Sequence, residues 1–270
     1  MSDIRHWNEQ DRAEEDIKKY WKEELENKSD AIFFEIEAWC FQSDQKNNDT
    51  KKELVKLIAQ HEGKIIQDTL IKEIAYYGFL VEMPASRVIE LLDGDSVLLK
   101  AEQIMYFRPR GQCAVPADDG TSFAGINILK PSSNGHPIIA LLDGLPQQNH
   151  PLLSDRLQMS KDTHDWEEEY PAKERQHGTA TASLILHGDL TDPEVPLKHR
   201  LYVQPVMRPN PQSFKQPKPE EIPQDRLLLD LMHQSVNCLF EGERPEAPTV
   251  KVINLSLGDA RRLFCGKLSP

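Results

Sequence analysis

Pro137-Ile138-Ile139-Ala140-Leu141-Leu142-Asp143-Gly144 is the stretch that decides how this 270-residue chain folds. The apolar run is strand-sized, far short of the roughly 18 residues that a membrane-spanning helix needs. An unbroken apolar run suits a strand buried on both faces of a parallel sheet. It ends in a carboxylate, and in a parallel sheet the carboxyl ends of the strands face the functional crevice. Asp143 is therefore well placed for chemistry, although taken alone it also reads as an ordinary loop Asp before a turn Gly.

The residues after Asp143 continue the pattern. A helix is predicted over 178–187, a strand over 200–206, a helix over 225–241 and a strand over 249–256. Strands alternating with helices predict an α/β domain with a parallel sheet and crossover helices. Between Met207 and Pro223 stand five prolines, which read as a long surface loop.

Two more constellations lie on this frame. His177-Gly178-Thr179 opens the first helix, where Gly178 and the small residues after it allow tight packing. His177 at that helix start would project towards the same crevice, and an imidazole there can act as a general base. His187-Gly188 makes a helix C-terminus, since Gly suits the C′ position. Val250 to Gly258 is a strand running into a glycine, and a glycine at a strand edge permits close backbone approach by a ligand. Taken singly, each has a plainer reading: a polar surface His, and a core strand ending in a turn.

Taken together, in this order, they resemble the subtilisin-like serine peptidases. Ile139-Ala140-Leu141-Leu142-Asp143 is similar to that family's aspartate motif, and Asn149-His150-Pro151-Leu152-Leu153 to the segment that follows it. His177-Gly178-Thr179 is similar to the histidine motif, and Val252 to Gly258 to the strand lining the substrate cleft. Asp, His, Ser is the chain order for subtilisin. The resemblance covers roughly residues 136–260 and implies catalytic roles for Asp143 and His177. Asp143 would fix the tautomer of His177, and His177 would act as general base and then general acid. Ser256, Leu257 and Gly258 would pair with an extended polypeptide substrate through main-chain hydrogen bonds.

The chain departs from the family pattern in five places. Gly144 directly follows Asp143, where the family usually has Thr or Ser. Ala180 stands where a second His is often found, and Ser183 where Gly is frequent. The fourth departure is the nucleophile. The family's Gly-Thr-Ser motif does not occur after Gly258, and the chain ends twelve residues later. Gly120-Thr121-Ser122 precedes Asp143 and falls in a connector, so it does not substitute. The oxyanion-hole Asn expected between the third constellation and the nucleophile is also absent. The expectation is therefore the front half of a serine endopeptidase domain, inactive by itself. The alternative is a catalytically inactive module that binds peptides or a protease.

Upstream, residues 31–108 read as β-α-β-β-α-β, the ferredoxin-like order of a small α+β domain. Strands are expected from Ala31, Lys64, Tyr76 and Ala101, with Asn48-Asp49-Thr50 as candidate caps of the first helix and Gly63 as its stop. Placed before a subtilase-like domain, this unit resembles the inhibitor-type propeptide; by itself it reads as a generic binding module. Residues 1–30 are highly charged, without Pro or Gly, and Trp7, Ile17, Tyr20, Trp21 and Leu25 predict an amphipathic helical arm. Residues 109–135, with Pro116, Gly120, Gly125, Pro131 and Gly135, form a linker, and 136–270 form the second domain.

Composition narrows the rest. With 32 basic and 44 acidic residues the net charge is −12, which argues against a nucleic-acid footprint. Neither a spanning segment nor a secretory h-region is read, and the four cysteines are widely spaced, so a cytoplasmic location is expected. No cofactor is expected. The family's calcium sites draw attention to the acidic run Asp162, Asp165, Glu167, Glu168 and Glu169, whose spacing favours a solvated loop.

Overall fold

The computed structural model describes residues 9–111, 114–115, 135–161, 170–190 and 196–258. The chain divides into two compact units, Met1–Gly111 with Gln224–Asp230, and Gln112–Pro223 with Leu231–Pro270. Trp7, the acidic run and Thr121-Ser122 lie outside the described residues.

The first unit runs α1 (Glu9–Arg12), α2 (Glu15–Glu26), β1 (Ala31–Ala38), α3 (Asp44–Gln60), β2 (Lys64–Ile71), β3 (Tyr76–Pro84), α4 (Ala85–Asp93) and β4 (Ile104–Pro109). The strands form one antiparallel sheet in the order β2-β3-β1-β4. Alternation sorts the side chains. Ile32, Phe34 and Ile36 stand in register with Met83, Val81 and Phe79, and all six are buried in one apolar cluster. The helices close that face. Ile17 and Trp21 of α2, one turn apart, are buried in the same cluster, and Tyr20 and Leu25 pack against it. Trp21 meets Phe34 and Phe107 edge-on at 5.4 and 5.7 Å. A fully buried side chain of this size contributes at least about 2–3 kcal/mol, so α2 is a structural layer of this unit.

Three local expectations are corrected. Helix α3 begins at Asp44, capped by Ser43, whose Oγ accepts from Lys46 N at 3.4 Å. Asn48-Asp49-Thr50 therefore fall inside the helix, and the residue just before them, Asn47, ties both amide groups to Phe41. The left-handed residue after α3 is Glu62 at φ +59°, and Gly63 is required for another reason. A Cβ there would lie 2.9 Å from Ile58 Cγ2 and 3.0 Å from Met83 Cε. The last strand starts at Ile104, because Val97–Lys100 forms a 3-10 turn whose Leu98 N donates to Ser96 Oγ.

The second unit contains β5 (Ala114–Val115), β6 (Gly135–Asp143), β7 (Leu157–Met159), α5 (Gln176–His187), β8 (His199–Pro205), β9 (Arg208–Pro209), β10 (Glu220–Glu221), most of α6 (Leu228–Phe240) and β11 (Val252–Leu255). A parallel sheet has the order β11-β6-β8-β7. The protein is thus mixed α/β, with a parallel and an antiparallel sheet. Leu141, Leu201 and Val203 on one face pack with Ala182 and Leu186 of α5 and with Leu153. The proline-rich stretch is more than a loop. Arg208–Pro209 and Glu220–Glu221 pair with each other, and Glu220–Glu221 pairs with Ala114–Val115, as a small antiparallel sheet. Pro209 sits on its edge strand, where a missing N–H is tolerated. No helix among the described residues is long and apolar enough to cross a membrane.

Candidate active site

Asp143 is the last residue of β6, next to the central apolar run, and is wholly buried. Its carbonyl accepts from Val206 N at 2.8 Å, which fixes the strand end. Its Oδ1 accepts from Gly144 N at 2.7 Å and lies 2.7 Å from His177 Nδ1. A carboxylate oxygen only accepts, so the hydrogen bond assigns the proton to Nδ1 and leaves Nε2 with a lone pair. The His177 side chain keeps 28% of its surface exposed. The bond to Asp143 pushes the His177 imidazole above its ordinary pKa, against the opposing effect of burial; the charges of Asp143 and Glu220 add to the rise.

Helix α5 starts at Gln176, so His177 lies in its first turn. The two residues after it hold that turn in place. A Cβ on Gly178 would overlap the carbonyl oxygen of Gly144 and lie 2.7 Å from its carbon, so only glycine lets α5 approach the end of β6 this closely. Thr179 Oγ1 donates to Arg175 O at 2.5 Å and accepts from Gln147 N at 2.9 Å, stitching the helix to the loop after Asp143. The helix ends at His187, with Gly188 at φ +70° beyond it.

Leu255 pairs with Leu142, so Ser256 leaves the sheet at the same edge as Asp143. Ser256 Oγ donates to Asn254 Oδ1 at 2.7 Å; Ser256 and Leu257 are half-buried and Gly258 is exposed. Val252 and Leu255 keep 55% and 52% of their surface exposed.

Two residues of the site escape sequence reasoning. Glu220, in the proline-rich stretch, is 3% exposed, and the Tyr170 side chain is fully buried. Both occupy the space above Gly144. A Cβ at that position would overlap Glu220 Oε2 and fall 2.7 Å from the Tyr170 hydroxyl. A Thr or Ser at position 144 would displace the Glu220 carboxyl. Arg175 holds Tyr170, its Nε donating to Tyr170 O at 2.6 Å. Burial pushes the Glu220 carboxyl up to about 7; Asp143 adds to the rise, while Tyr170 and His177 oppose it. Burial likewise raises the Tyr170 phenol, with Glu220 beside it. The one sequence signal was the glycine directly after Asp143.

Donor atoms of Asp143, His177 and Glu220 all lie within 4.8 Å of one another. Calcium takes six to eight oxygens, more than this group supplies. The 2.7 Å Nδ1–Oδ1 spacing is that of a hydrogen bond, so the cluster is read as an acid–base group. No family model matches this chain, and no curated protein matches it.

Proposed function

We propose that this chain carries the Asp–His half of a subtilisin-like serine endopeptidase. The observation that carries the reading is the buried Asp143 bonded to His177 Nδ1 at 2.7 Å, at the carboxyl edge of a central parallel strand. His177 Nε2 would take the proton from a serine hydroxyl as it attacks the peptide carbonyl, then return it to the leaving amine. Asp143 would stabilise the imidazolium. The serine would come from polypeptide other than these 270 residues. Ser256 to Gly258, beside Asp143, would pair with the substrate backbone. The antiparallel unit, with order β2-β3-β1-β4, supports a propeptide-like front domain. The exposed flank of β11 favours the second reading, a module that binds extended peptides without cleaving them.

A fluorophosphonate probe separates the two. The 270-residue chain should not label. A longer product of the same gene, if there is one, should label in a His177-dependent manner and hydrolyse peptides. Because the imidazole must be neutral to act and its pKa is raised, labelling should rise with pH through a midpoint above 6.5. Stoichiometric labelling of the 270-residue chain, or peptidase activity surviving His177→Ala, would sink the proposal.

A further inference from the structure

Arg208 follows Val206 and Met207, whose N–H groups donate to Asp143 O at 2.8 and 3.4 Å. Glu174 stands three residues before His177, in the turn that leads into α5. Lys218 is two residues before Glu220, at most about 7 Å along the chain. These three residues, with Pro171, Lys173 and Pro211, line one cavity of about 560 Å³ within the second unit. Its walls therefore continue into Asp143, His177 and Glu220. The volume falls in the range of about 300–1,000 Å³ that ligand sites occupy.

The cavity walls carry three cations against one carboxylate, in a chain whose net charge is −12. The carboxylate, Glu174, is 3% exposed and already engaged. Its Oε2 accepts from Lys218 N at 2.5 Å, and Lys173 Nζ lies 3.8 Å from its Oε1. Both lysine ends also donate to neutral oxygens, Lys173 to Gln216 Oε1 at 3.1 Å and Lys218 to Pro211 O at 3.3 Å. Glu221, which pairs in register with Arg208, accepts from Asn210 Nδ2 at 3.0 Å. Proline rings and lysine stems give the cavity apolar sides. Phe214, in the loop between Pro211 and Lys218, is wholly exposed.

We propose that this cavity binds an acidic side chain, Asp or Glu, of an extended polypeptide lying along the candidate site. The aliphatic stem of that residue packs against the prolines, and its carboxylate meets Arg208 and Lys218. The guanidinium fork matches a carboxylate in two parallel bonds, so Arg208 is the principal partner. A basic side chain is rejected by like charge. The rest of an acidic surface repels an acidic polypeptide, so the preference is local to these cations and weakens with salt.

The inference rests on the peptidase reading for placing a polypeptide beside His177, but its test reads binding and not cleavage. The 270-residue chain is titrated with dansyl-labelled alanine hexapeptides in which one Glu, Gln or Lys is scanned along the length. At low salt the best Glu peptide should bind at least about fivefold tighter than its Gln counterpart, and the Lys peptide weaker than either. About 0.5 M salt should reduce the Glu preference to below about twofold. The preference should disappear in Arg208→Gln, survive largely in Arg208→Lys, and fall by about two- to threefold in Lys173→Gln. The Lys173 side chain is 68% exposed, so Lys173→Gln keeps the proposal testable even if Arg208→Gln does not fold. The absence of a Glu preference, or a preference untouched by these substitutions, overturns the proposal. Inorganic phosphate that shifts the Arg208 Nε–H signal in NMR while no peptide does so also overturns it, assigning the cavity to a small anion. None of these failures touches the fluorophosphonate test of Asp143 and His177. A Glu preference without peptidase activity in any longer product would keep the cavity assignment and favour the peptide-binding module.

Discussion

Replacing Glu220 by Gln changes one hydrogen-bonding atom and removes one titration, so its consequence for stability can be worked from the structure. The folded carboxyl titrates near 7 against an ordinary 4.5, with burial as the leading cause. The gap is 7 − 4.5, or about 2.5 pH units, and each unit corresponds to about 1.4 kcal/mol, giving about 3 kcal/mol. A carboxyl raised on folding binds its proton more tightly in the native state. Its contribution is complete below pH 4.5 and is lost as the pH rises through 7. Wild type should therefore lose stability relative to Glu220→Gln by about 2–3 kcal/mol between pH 5 and pH 8. Paired urea unfolding curves at pH 5, 6, 7 and 8, followed by circular dichroism, give that difference. A difference that stays flat across the range, or that grows in favour of wild type with pH, would refute the buried, proton-holding Glu220.

Two further outcomes follow from packing. Gly178→Ala should cost about 1–3 kcal/mol, because its Cβ overlaps backbone that cannot rotate away; the displaced α5 should also erase the His177 Nδ1–H signal in proton NMR. Trp21→Ala should cost about 3–5 kcal/mol, measured by guanidinium unfolding of the first unit, because Trp21 is fully buried between Phe34 and Phe107.

Much of the frame was legible because its signals are local. The apolar run ending in Asp143, the small residues of α5 and the later strand each carry a period or a breaker that a reader of sequence can use. The β-α-β-β-α-β order of the first unit and the β6-α5-β8-α6-β11 order of the second follow from them, whereas β5, β7, β9 and β10 carry no such signal. Helix boundaries are less legible. The α3 cap is Ser43, ahead of the Asn48-Asp49-Thr50 candidates, because the Ser43 hydroxyl accepts from Lys46 N. Gly63 reads as a conformational stop and is instead a close-approach glycine, which depends on Ile58 of the preceding helix and on Met83 arriving from β3. Helix α2, which reads as an amphipathic arm, is part of the first unit's core because Trp21 has Phe34 and Phe107 to meet.

The sequence by itself determined that Asp143 and His177 would stand at one edge of a parallel sheet, because hydrophobic patterning places strand ends and helix starts without reference to distant residues. Only the tertiary structure decided what surrounds them. Glu220 and Tyr170 come from stretches with no periodic signal, 77 and 27 residues beyond Asp143 by count along the chain. They fill the space over Gly144 through burial and shape alone. A carboxyl's charge at neutral pH depends on the water it has lost, and that loss exists only once the chain has closed around it.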